Sequence, residues 1–386
     1  MNNPRKKVIV FGGNHHNPLG VIRALGRKGL CVFFLTSSKI SFVEHSKYIS
    51  ETIYIERDED APEVLINRFS EEDVKPVIVC CGDGFASIIM RNREILKEKF
   101  IVPFANVYNE DNIFFKDFQS KIAQECDIKV PQSGTFDLSN ANSILQEWKI
   151  FPCIIKPLNS LSNYGGKGDI RIADCYENLV KILRETQSEK IQVQQYIEKK
   201  MEFQLIGCSL DAGNEVIIPG YTHILRQPPN TNTGFLKIFK IENLSFDLGK
   251  IKKFMQKVGY SGLFSVEFLR NDDTDFFMEV NFRNDGNAYV VTQAGVNLPY
   301  IWTYFSLFNK LPLNEPTTLQ DEIFFLPELQ DLRNVFHRKL SLISFLKDFL
   351  RTKAPAVFDI RDLSPFICQF LFPLKNYICK KIQILK

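Results

Sequence analysis

Two glutamates and an asparagine lie at alternating positions of a predicted β-hairpin within Gly262–Asn287. Side chains alternate along a strand, so each strand of this hairpin has one polar and one apolar face. The apolar faces consist of Phe264, Val266, Phe268, Met278, Val280 and Phe282. The predicted turn is the polar stretch Asn271–Asp275, and Glu267 and Glu279 each lie six positions from Asp273. Folding the hairpin there places the two glutamates opposite each other.

Opposed carboxylates in a hairpin repel, because their Cβ atoms are only roughly 4.5–5.5 Å apart. Asn281 adds an amide two positions beyond Glu279. A hard cation such as Mg²⁺ (or Mn²⁺) would relieve the repulsion, since it binds one or two carboxylates together with phosphate oxygens of a substrate. A solvated polar face is an equally good interpretation of the hairpin taken alone.

A lysine ends an apolar strand upstream, at Lys156 in FPCIIKPL, and a loop rich in glycine and serine follows it. A lysine in this position is expected to meet an anion, and the loop can turn backbone N–H groups and hydroxyls toward phosphates. The candidate phosphate-binding residues of the loop are Ser160, Ser162, Gly165, Gly166 and Gly168. The alternative is a lysine that reaches solvent beside a plain flexible turn.

The segment VQQYIEKKME offers an extended linker between two predicted strands. Its backbone can read the edge of an adenine, and Glu202, seven residues after Gln195, can bind ribose hydroxyls. Arg226 is a candidate clamp for a substrate carboxylate, because a guanidinium pairs with a carboxylate through two hydrogen bonds. A surface salt bridge is an equally good interpretation of Arg226.

Strand and helix alternate over the first ~110 residues, which is typical of a mostly parallel sheet. The turn after the first strand reads GGNHHNPLG, not G-x-G-x-x-G, and no acid follows the second strand at Thr36-Ser37. A nicotinamide-dependent dehydrogenase is therefore disfavoured. We expect a loop role for His15 and His16. Asp83-Gly84 lies where ligands of open α/β sheets bind, although a helix cap explains Asp83 equally well.

Composition limits the class of protein. The chain has 386 residues, 45% hydrophobic and 24% charged, with a net charge of +3, so we expect two or three domains and no nucleic-acid partner. Its nine cysteines include no CxxC pair, which favours a reducing compartment. The start of the chain has too short an apolar run for a signal peptide, and no stretch reaches the ~18–20 apolar residues of a spanning helix. A cytoplasmic location is expected.

The order of these pieces resembles the ATP-grasp superfamily of carboxylate–amine ligases, over roughly Met1–Lys310. The most specific part is Glu279-x-Asn281-x-Arg283, preceded by Glu267. The stretch MEVNFRNDGNAYVVTQAGVNLPY is most similar to the branch that contains carbamoyl-phosphate-synthase-like and D-aspartate-ligase-like proteins. Relatives resembling D-alanine–D-alanine ligase have an arginine two residues before the first metal acid, whereas this chain has Ser265.

This resemblance implies ATP and Mg²⁺ as cofactors and gives each candidate residue a role. Lys116 or Lys121 would be the first phosphate-binding lysine and Lys156 the second, with residues 160–168 as a lid. Arg283 would be a cation near the transferred phosphate or the substrate carboxylate. The implied adenine-side residues are Gln194, Gln195, Tyr196 and Ile197, with Glu202 on the ribose. The implied metal ligands are Glu267, Glu279 and Asn281.

The implied architecture is multidomain, α/β and α+β. It has a Rossmann-like domain over residues 1–110, a two-lobed ATP-grasp domain over 111–315 with its lid subdomain at about 125–197, and a helical extension over 316–386. The implied function is ATP-dependent activation of a carboxylate for attack by an amine, on an amino acid or a peptide or cell-envelope precursor. Alternatives are a carbamoyl-phosphate-type or other acyl phosphotransfer enzyme, and a nucleotide-binding scaffold without turnover. We expect substrate contacts from Gly12–Asn17 and Asp83-Gly84.

The end of the chain is rich in phenylalanine and leucine. Helical spacing predicts that one side of a helix packs onto the body of the protein, through Leu340, Ile343, Leu346, Phe349 and Leu350. The last residues mix apolar side chains with Lys375, Lys380, Lys381 and Lys386. A basic amphipathic end can lie on an anionic membrane, here the inner face, whereas docking onto the core is the more frequent arrangement. A homodimer is a further expectation.

Overall fold

The computed structural model describes residues 6–106, 113–140, 144, 147–158, 170–186, 190–228, 234–272 and 274–371. The chain forms two compact units. The first unit comprises Met1–Phe118, Phe203–Val266 and Val280–Lys386, and the second comprises Gln119–Glu202 and Glu267–Glu279. This division differs from three consecutive domains, because the middle of the chain contributes to both units.

The first unit begins with a four-stranded parallel sheet. Its strands are β1 (Lys7–Phe11), β2 (Cys31–Thr36), β3 (Ile49–Tyr54) and β4 (Val77–Cys80), in the order β3-β2-β1-β4. The helices that connect and follow these strands are α1 (His16–Gly26), α2 (Ala61–Phe69), α3 (Asp83–Arg91) and α4 (Arg93–Leu96). The alternation of strand and helix predicted from the sequence is therefore present.

Both faces of this sheet are buried, which is why its strands are nearly continuous apolar runs. Alternate residues of β1 enter different cores: Ile9 and Phe11 pack with Leu65 of α2, while Val8 and Val10 join a core shared with Leu19 of α1. The parallel arrangement brings the carboxyl ends of β1 and β4 to one edge, where the loop after β1 and Asp83 follow.

The second unit contains a four-stranded antiparallel sheet. After α5 (Lys116–Glu125), its elements are β5 (Ser133–Asp137), β6 (Cys153–Leu158), β7 (Arg171–Ala173), α6 (Tyr176–Glu185) and β8 (Lys190–Gln195). The strand order is β5-β8-β6-β7. One apolar face of the amphipathic helix α6, with Leu179 and Leu183, packs with Ile155 and Val193 of the sheet.

The remaining strands form a third sheet, which has eight strands. They are β9 (Met201–Leu210), β10 (Glu215–Ile217), β11 (Gly220–Arg226), β12 (Phe235–Lys240), β13 (Gly262–Asn271), β14 (Thr274–Asn281), β15 (Phe324–Leu326) and β16 (Ala354–Pro355). The order is β14-β13-β9-β11-β12-β15-β16, with β10 beside β9. The accompanying helices are α7 (Leu248–Val258), α8 (Tyr289–Gln293), α9 (Leu298–Phe308), α10 (Glu328–Phe336) and α11 (Leu342–Arg351).

The extension after residue 315 is not purely helical, which corrects the sequence prediction. It supplies β15, which pairs with β12, and β16, which pairs with β15. A second correction concerns α11: Ile343, Leu346 and Leu350 were expected to pack, but their side chains are exposed. The packed side of α11 carries Phe345 and Phe349.

Candidate active site

The predicted hairpin is formed by β13 and β14, which are neighbours in the eight-stranded sheet. Its turn is tighter than expected, since β13 extends to Asn271 and β14 begins at Thr274. Asp273, the predicted centre of the turn, lies outside the described residues. Farther from the turn, Asn281 Nδ2 donates a 3.3 Å hydrogen bond to Ser265 Oγ, so these two side chains leave the hairpin on the same face.

This hydrogen bond indicates where the two glutamates point. Glu267 is two residues from Ser265 and Glu279 is two residues from Asn281, and side chains two apart on a strand share a face. Both glutamates are half-buried. Two carboxylates followed by an amide oxygen are a donor set that suits Mg²⁺. Because Nδ2 of Asn281 is the donor to Ser265, Oδ1 is the atom that a cation would coordinate.

The described residues contain no group of three or more His, Cys, Asp or Glu side chains that could hold a metal ion. The predicted ligand set differs in kind from such a group, because its third member is an asparagine. The residues present therefore fit a hard cation that takes the rest of its oxygen ligands from a phosphorylated substrate.

Lys156 and Gln194 contact each other across the antiparallel pair β6–β8. Lys156 lies opposite Gln192, and Ile154 lies opposite Gln194, so Lys156 and Gln194 are diagonal neighbours on one face. The Lys156 ammonium donates a 2.5 Å hydrogen bond to Gln194 Oε1. The structure therefore joins one predicted phosphate ligand to one predicted adenine-side residue within the second unit. The loop residues Ser160, Ser162, Gly165, Gly166 and Gly168 lie outside the described residues.

The adenine-side linker already uses two of its backbone donors inside the second unit. The Gln195 N–H donates to the Gln132 carbonyl at 2.8 Å, and the Tyr196 N–H donates to the Pro152 carbonyl at 3.0 Å. Ile197 is buried. An adenine would thus meet the Ile197 amide or the carbonyls of the linker. The prediction that the whole linker binds the adenine is therefore limited, because the N–H groups of Gln195 and Tyr196 already donate within the protein.

The other nucleotide-side residues lie near the surface. Glu202, the second residue of β9, forms an ion pair with Lys199. Lys116 and Lys121 are both exposed on α5. Five residues of an α-helix correspond to a rotation of about 140°, so these two lysines point in different directions and only one can serve a given phosphate.

Arg283 is the centre of a polar cluster in the first unit. Its Nε lies 3.1 Å from Asp83 Oδ1, and its Nη1 lies 3.0 Å from Asp285 Oδ2. These two carboxylates raise the pKa of the Arg283 guanidinium against the opposing effect of burial. Asp285 also accepts from Ser265 Oγ at 2.9 Å. Arg283 is therefore fixed, and its charge is balanced, at the carboxyl edge of the parallel sheet.

A network of amide side chains continues from this cluster to the loop after β1. Asn17 Nδ2 donates to the Cys81 carbonyl at 3.2 Å and to the Asn284 carbonyl at 2.9 Å. Asn284 Nδ2 in turn donates to Asn17 Oδ1 at 2.5 Å. Sequence reasoning missed Asn284 and Asp285. The run NFRNDGN, which continues polar after the metal strand, is the signal that could have indicated them.

The two histidines have structural contacts in this region. His15 Nδ1 accepts from the Asn17 backbone N–H at 3.1 Å and so caps α1. Burial, together with Arg283, lowers the pKa of His15 to about 4. His16 Nε2 lies 3.1 Å from the Gly286 carbonyl, and burial lowers its pKa well below 6.5. His15 therefore lies at the end of the loop as expected, whereas His16, also expected in the loop, is the first residue of α1.

Arg226 contacts carboxylates of the protein itself. Its Nε and Nη2 donate to both oxygens of Asp331 at 2.8 and 2.6 Å, and its Nη1 lies 2.6 Å from Asp348. The guanidinium also lies 4.4 Å from the centroid of the Phe235 ring. Asp331 belongs to α10 and Asp348 to α11, so the structure favours the salt-bridge interpretation over the substrate clamp.

Comparisons with known proteins place this geometry in context. No protein-family model matches the chain. The chain is 23% identical over 333 residues to the D-aspartate ligase of Enterococcus faecium (strain Aus0004), which covers 80% of this chain and 79% of that protein. It is also similar in structure to the L-amino acid ligase from Bacillus licheniformis, with a TM-score of 0.58 and 17% identity, over 79% of this chain and 74% of that chain.

A further similar structure is the biotin carboxylase domain of 2-oxoglutarate carboxylase from Hydrogenobacter thermophilus, a dimer in complex with magnesium ADP, ADP and bicarbonate. Its TM-score is 0.63 with 16% identity, over 83% of this chain and 73% of that chain. These similarities show a mixed α/β fold of the ATP-grasp type, and the predicted resemblance to the ATP-grasp carboxylate–amine ligases is confirmed. Within that class, a protein similar in sequence is the D-aspartate ligase of Enterococcus faecium.

Proposed function

We propose that this protein is an ATP-dependent ligase that joins a carboxylate to an amine, with an amino acid as the carboxylate substrate. The observation that carries the proposal is the similarity to D-aspartate ligase along 80% of the chain. An amino acid is also the substrate class in the name of the structurally similar L-amino acid ligase. The amine would belong to a peptide or a cell-envelope precursor.

The proposed reaction has two steps. The substrate carboxylate attacks the γ-phosphorus of ATP, which releases ADP and forms an acyl phosphate. The amine then attacks the acyl carbon, loses a proton and expels inorganic phosphate, leaving an amide. Such a site works by positioning its reactants and neutralising charge, because phosphoryl transfer needs little covalent chemistry from the protein.

The hairpin and the β6–β8 pair supply the proposed nucleotide site. Glu267, Glu279 and Asn281 would hold Mg²⁺, which when bound neutralises charge on the phosphate oxygens. Lys156 would bind phosphate, with its ammonium held in place by the 2.5 Å hydrogen bond to Gln194. Lys116 or Lys121 would bind a second phosphate oxygen. Residues 160–168 would exclude water, which protects an acyl phosphate from hydrolysis.

Adenosine recognition is proposed for the linker and the start of β9. Gln194, Gln195, Tyr196 and Ile197 would surround the base, and Glu202 would accept hydrogen bonds from the ribose hydroxyls. Glu202 already pairs with Lys199 in the described structure. Its carboxylate oxygens can accept more than one hydrogen bond, so the ion pair and a ribose contact are compatible.

Arg283 is the proposed cation for the substrate carboxylate or the transferred phosphate. Asp285 holds it from a side chain that is 6% exposed, whereas the side chain of Asp83 is 33% exposed. An incoming anion would replace Asp83, the more accessible partner, while Asp285 keeps the guanidinium in position. The loops Gly12–Asn17 and Asp83-Gly84 would supply further substrate contacts.

Glu279→Gln tests the proposed site. We expect the variant to keep the thermal stability of the parent and to lose ADP release, because an amide cannot replace an anionic metal ligand. ADP release is measured over a panel of amino acids, each with and without an amine acceptor. The matched control is Asp272→Asn, which removes an exposed acid from the same hairpin and should leave turnover unchanged. Unchanged turnover in Glu279→Gln would contradict the assignment.

The same assay separates the ligase from a nucleotide-binding scaffold. A ligase releases ADP only in the presence of a productive carboxylate, and the amount of amide formed equals the amount of ADP. If ATP binds but no pair of substrates stimulates ADP release, the scaffold interpretation replaces the proposal.

A further inference from the structure

Exposed apolar side chains are concentrated near the end of the described chain. Of the twenty large apolar side chains that are exposed among the described residues, ten lie between Phe336 and Leu371. They are Phe336, Leu342, Ile343, Leu346, Leu350, Ile360, Leu363, Ile367, Phe370 and Leu371. We call this set the C-terminal apolar surface. Scattered exposed apolar residues need no explanation, but a concentration of this kind marks an interaction site.

Helix α11 provides one part of this surface. Phe345 and Phe349 face inward and pack with Phe235 and Leu326. Ile343 and Leu350 lie outside this contact, with 69% and 82% of their side chains exposed. Spacings of three and seven residues place Leu346 and Leu350 on the same side of the helix as Ile343. The helix therefore presents an apolar stripe away from the body of the unit.

A chain of aromatic rings connects α11 to the next helical segment, residues 364–371. The ring centroids of Phe349 and Phe358 are 5.7 Å apart, those of Phe358 and Phe366 are 5.2 Å apart, and those of Phe366 and Phe370 are 4.8 Å apart. The two helical segments are thus neighbours. Their exposed residues form parts of one region of the first unit.

Charge is distributed unevenly over this region. All three acids between Phe336 and Leu371 are held by arginines of the unit: Asp348 by Arg226, Asp359 by Arg27 and Asp362 by Arg23. The six cations of the same stretch have exposed side chains. They are Arg338, Lys339, Lys347, Arg351, Lys353 and Arg361. Arg351, Lys353 and Arg361 also pair with acids, namely Asp348, Asp321 and Asp359. The negative charges of this stretch are therefore all paired, and Arg338, Lys339 and Lys347 add exposed positive charge beside the apolar residues in the sequence.

We propose that the C-terminal apolar surface docks this protein onto an anionic lipid bilayer. Interfacial helices insert an apolar face between headgroups while lysines and arginines pair with anionic lipids, and this surface has both features. A second copy of the chain is a poorer occupant, because a two-fold contact would bring two copies of the same cation-rich surface together. The sequence after Leu371 continues the pattern, with four lysines and no acid in its last fifteen residues.

The docking would be peripheral. None of the helices in the described part of the chain combines the length and the apolar character that crossing a bilayer requires. The lipid surface would hold α11 and residues 364–371 flat, and the rest of the first unit would remain in water. This inference does not depend on the proposed ligase activity.

Flotation of the full-length protein with vesicles tests the proposal. The vesicles contain either phosphatidylcholine alone or phosphatidylcholine mixed with phosphatidylglycerol. We expect binding to the anionic vesicles, weaker binding at high salt, and little binding to the neutral ones. The double variant Ile343→Gln/Leu350→Gln should weaken binding about tenfold or more, because two inserted side chains become polar. Lys347→Gln should weaken binding less and reduce its dependence on salt.

The matched control is Leu313→Gln, since Leu313 is 99% exposed but lies outside the C-terminal apolar surface. It should bind vesicles like the parent. Absence of binding to anionic vesicles, or equal binding by the parent and the double variant, would overturn the proposal. Sedimentation velocity provides the other decisive outcome. A dimer that the double variant disrupts, without vesicle binding, would assign the surface to a second copy instead.

Discussion

Replacing Arg226 by glutamine removes the cation from a cluster that also contains Asp331 and Asp348. The side chain of Asp331 is 0% exposed, and in the variant it loses two charged hydrogen bonds of 2.8 and 2.6 Å while keeping the 3.0 Å bond from Asn334. Removing one partner of a buried ion pair costs roughly 3–5 kcal/mol. Asp348 retains some solvent contact, so we expect a loss of about 3 kcal/mol, near the lower limit of that range.

The assay combines thermal unfolding with steady-state ADP release. At about 2–4 °C per kcal/mol for a domain of 150–250 residues, the melting temperature of Arg226→Gln should fall by several degrees. The KM for the carboxylate substrate should stay within about twofold of the parent, because the guanidinium is committed to the protein's own acids. Arg351→Gln is the matched control. Arg351 also pairs with Asp348, but its side chain is 50% exposed, so it should cost less than about 1 kcal/mol.

A second variant tests whether the unpaired Asp331 carboxylate causes the stability loss of Arg226→Gln. In Arg226→Gln/Asp331→Asn the buried carboxylate becomes neutral, so much of the lost stability should return. A melting temperature equal to that of the parent in Arg226→Gln, together with a KM for the carboxylate that rises about tenfold or more, would refute this reasoning. Arg226 would then be the substrate clamp that its sequence position suggested.

Two further predictions concern buried polar groups of the first unit. Asp362→Ala should lower the free energy of unfolding by roughly 3–5 kcal/mol, because it leaves the fully buried Arg23 without the 2.9 Å partner, and Asp362→Asn should cost less. Equal urea midpoints for the two variants would contradict the ion-pair explanation. The pKa of His15 is about 4 when folded and about 6.5 when unfolded, so stability should decrease as the pH falls from 6.5 toward 4, where the unfolded chain binds an extra proton. His15→Asn keeps a capping side chain, and its melting temperature should fall less than that of the parent over this pH range. Melting temperatures of the variant and the parent that fall equally with pH would contradict the reasoning.

Local patterns in the sequence predicted the elements that they determine directly. Helices α6 and α7 follow from the sequence, because each has an amphipathic period and, for α7, Asp247 caps the start and Gly259 ends the helix with φ +59°. The hairpin that carries Glu267 and Glu279 was evident from alternation along two short runs. Lys156 was evident because a cation in an apolar strand requires an anion or solvent, although β6 continues to Leu158, two residues beyond the predicted end.

Other features depend on contacts that no local pattern encodes. Strands β15 and β16 have three and two residues, too few for a period, and they exist because Phe325 pairs with both Leu236 and Ala354. The hydrogen bond from Asn17 to Asn284 joins residues that are 267 positions apart. The sequence shows that both asparagines are polar, but it does not show that they form a hydrogen bond with each other.

In helix α11, a buried ion pair determines which of two apolar stripes faces the core, a choice that the sequence period does not make. Its sequence contains two apolar stripes, one with Ile343, Leu346 and Leu350 and one with Phe345 and Phe349, and each has helical spacing. Asp348 lies three residues after Phe345, on the second stripe, and pairs with Arg226 inside the unit. Turning the first stripe inward would carry Asp348 out of this pair and leave Arg226 beside apolar groups. The Arg226 cluster therefore sets the rotation of α11, and with it the outward direction of the apolar stripe that we propose meets the membrane.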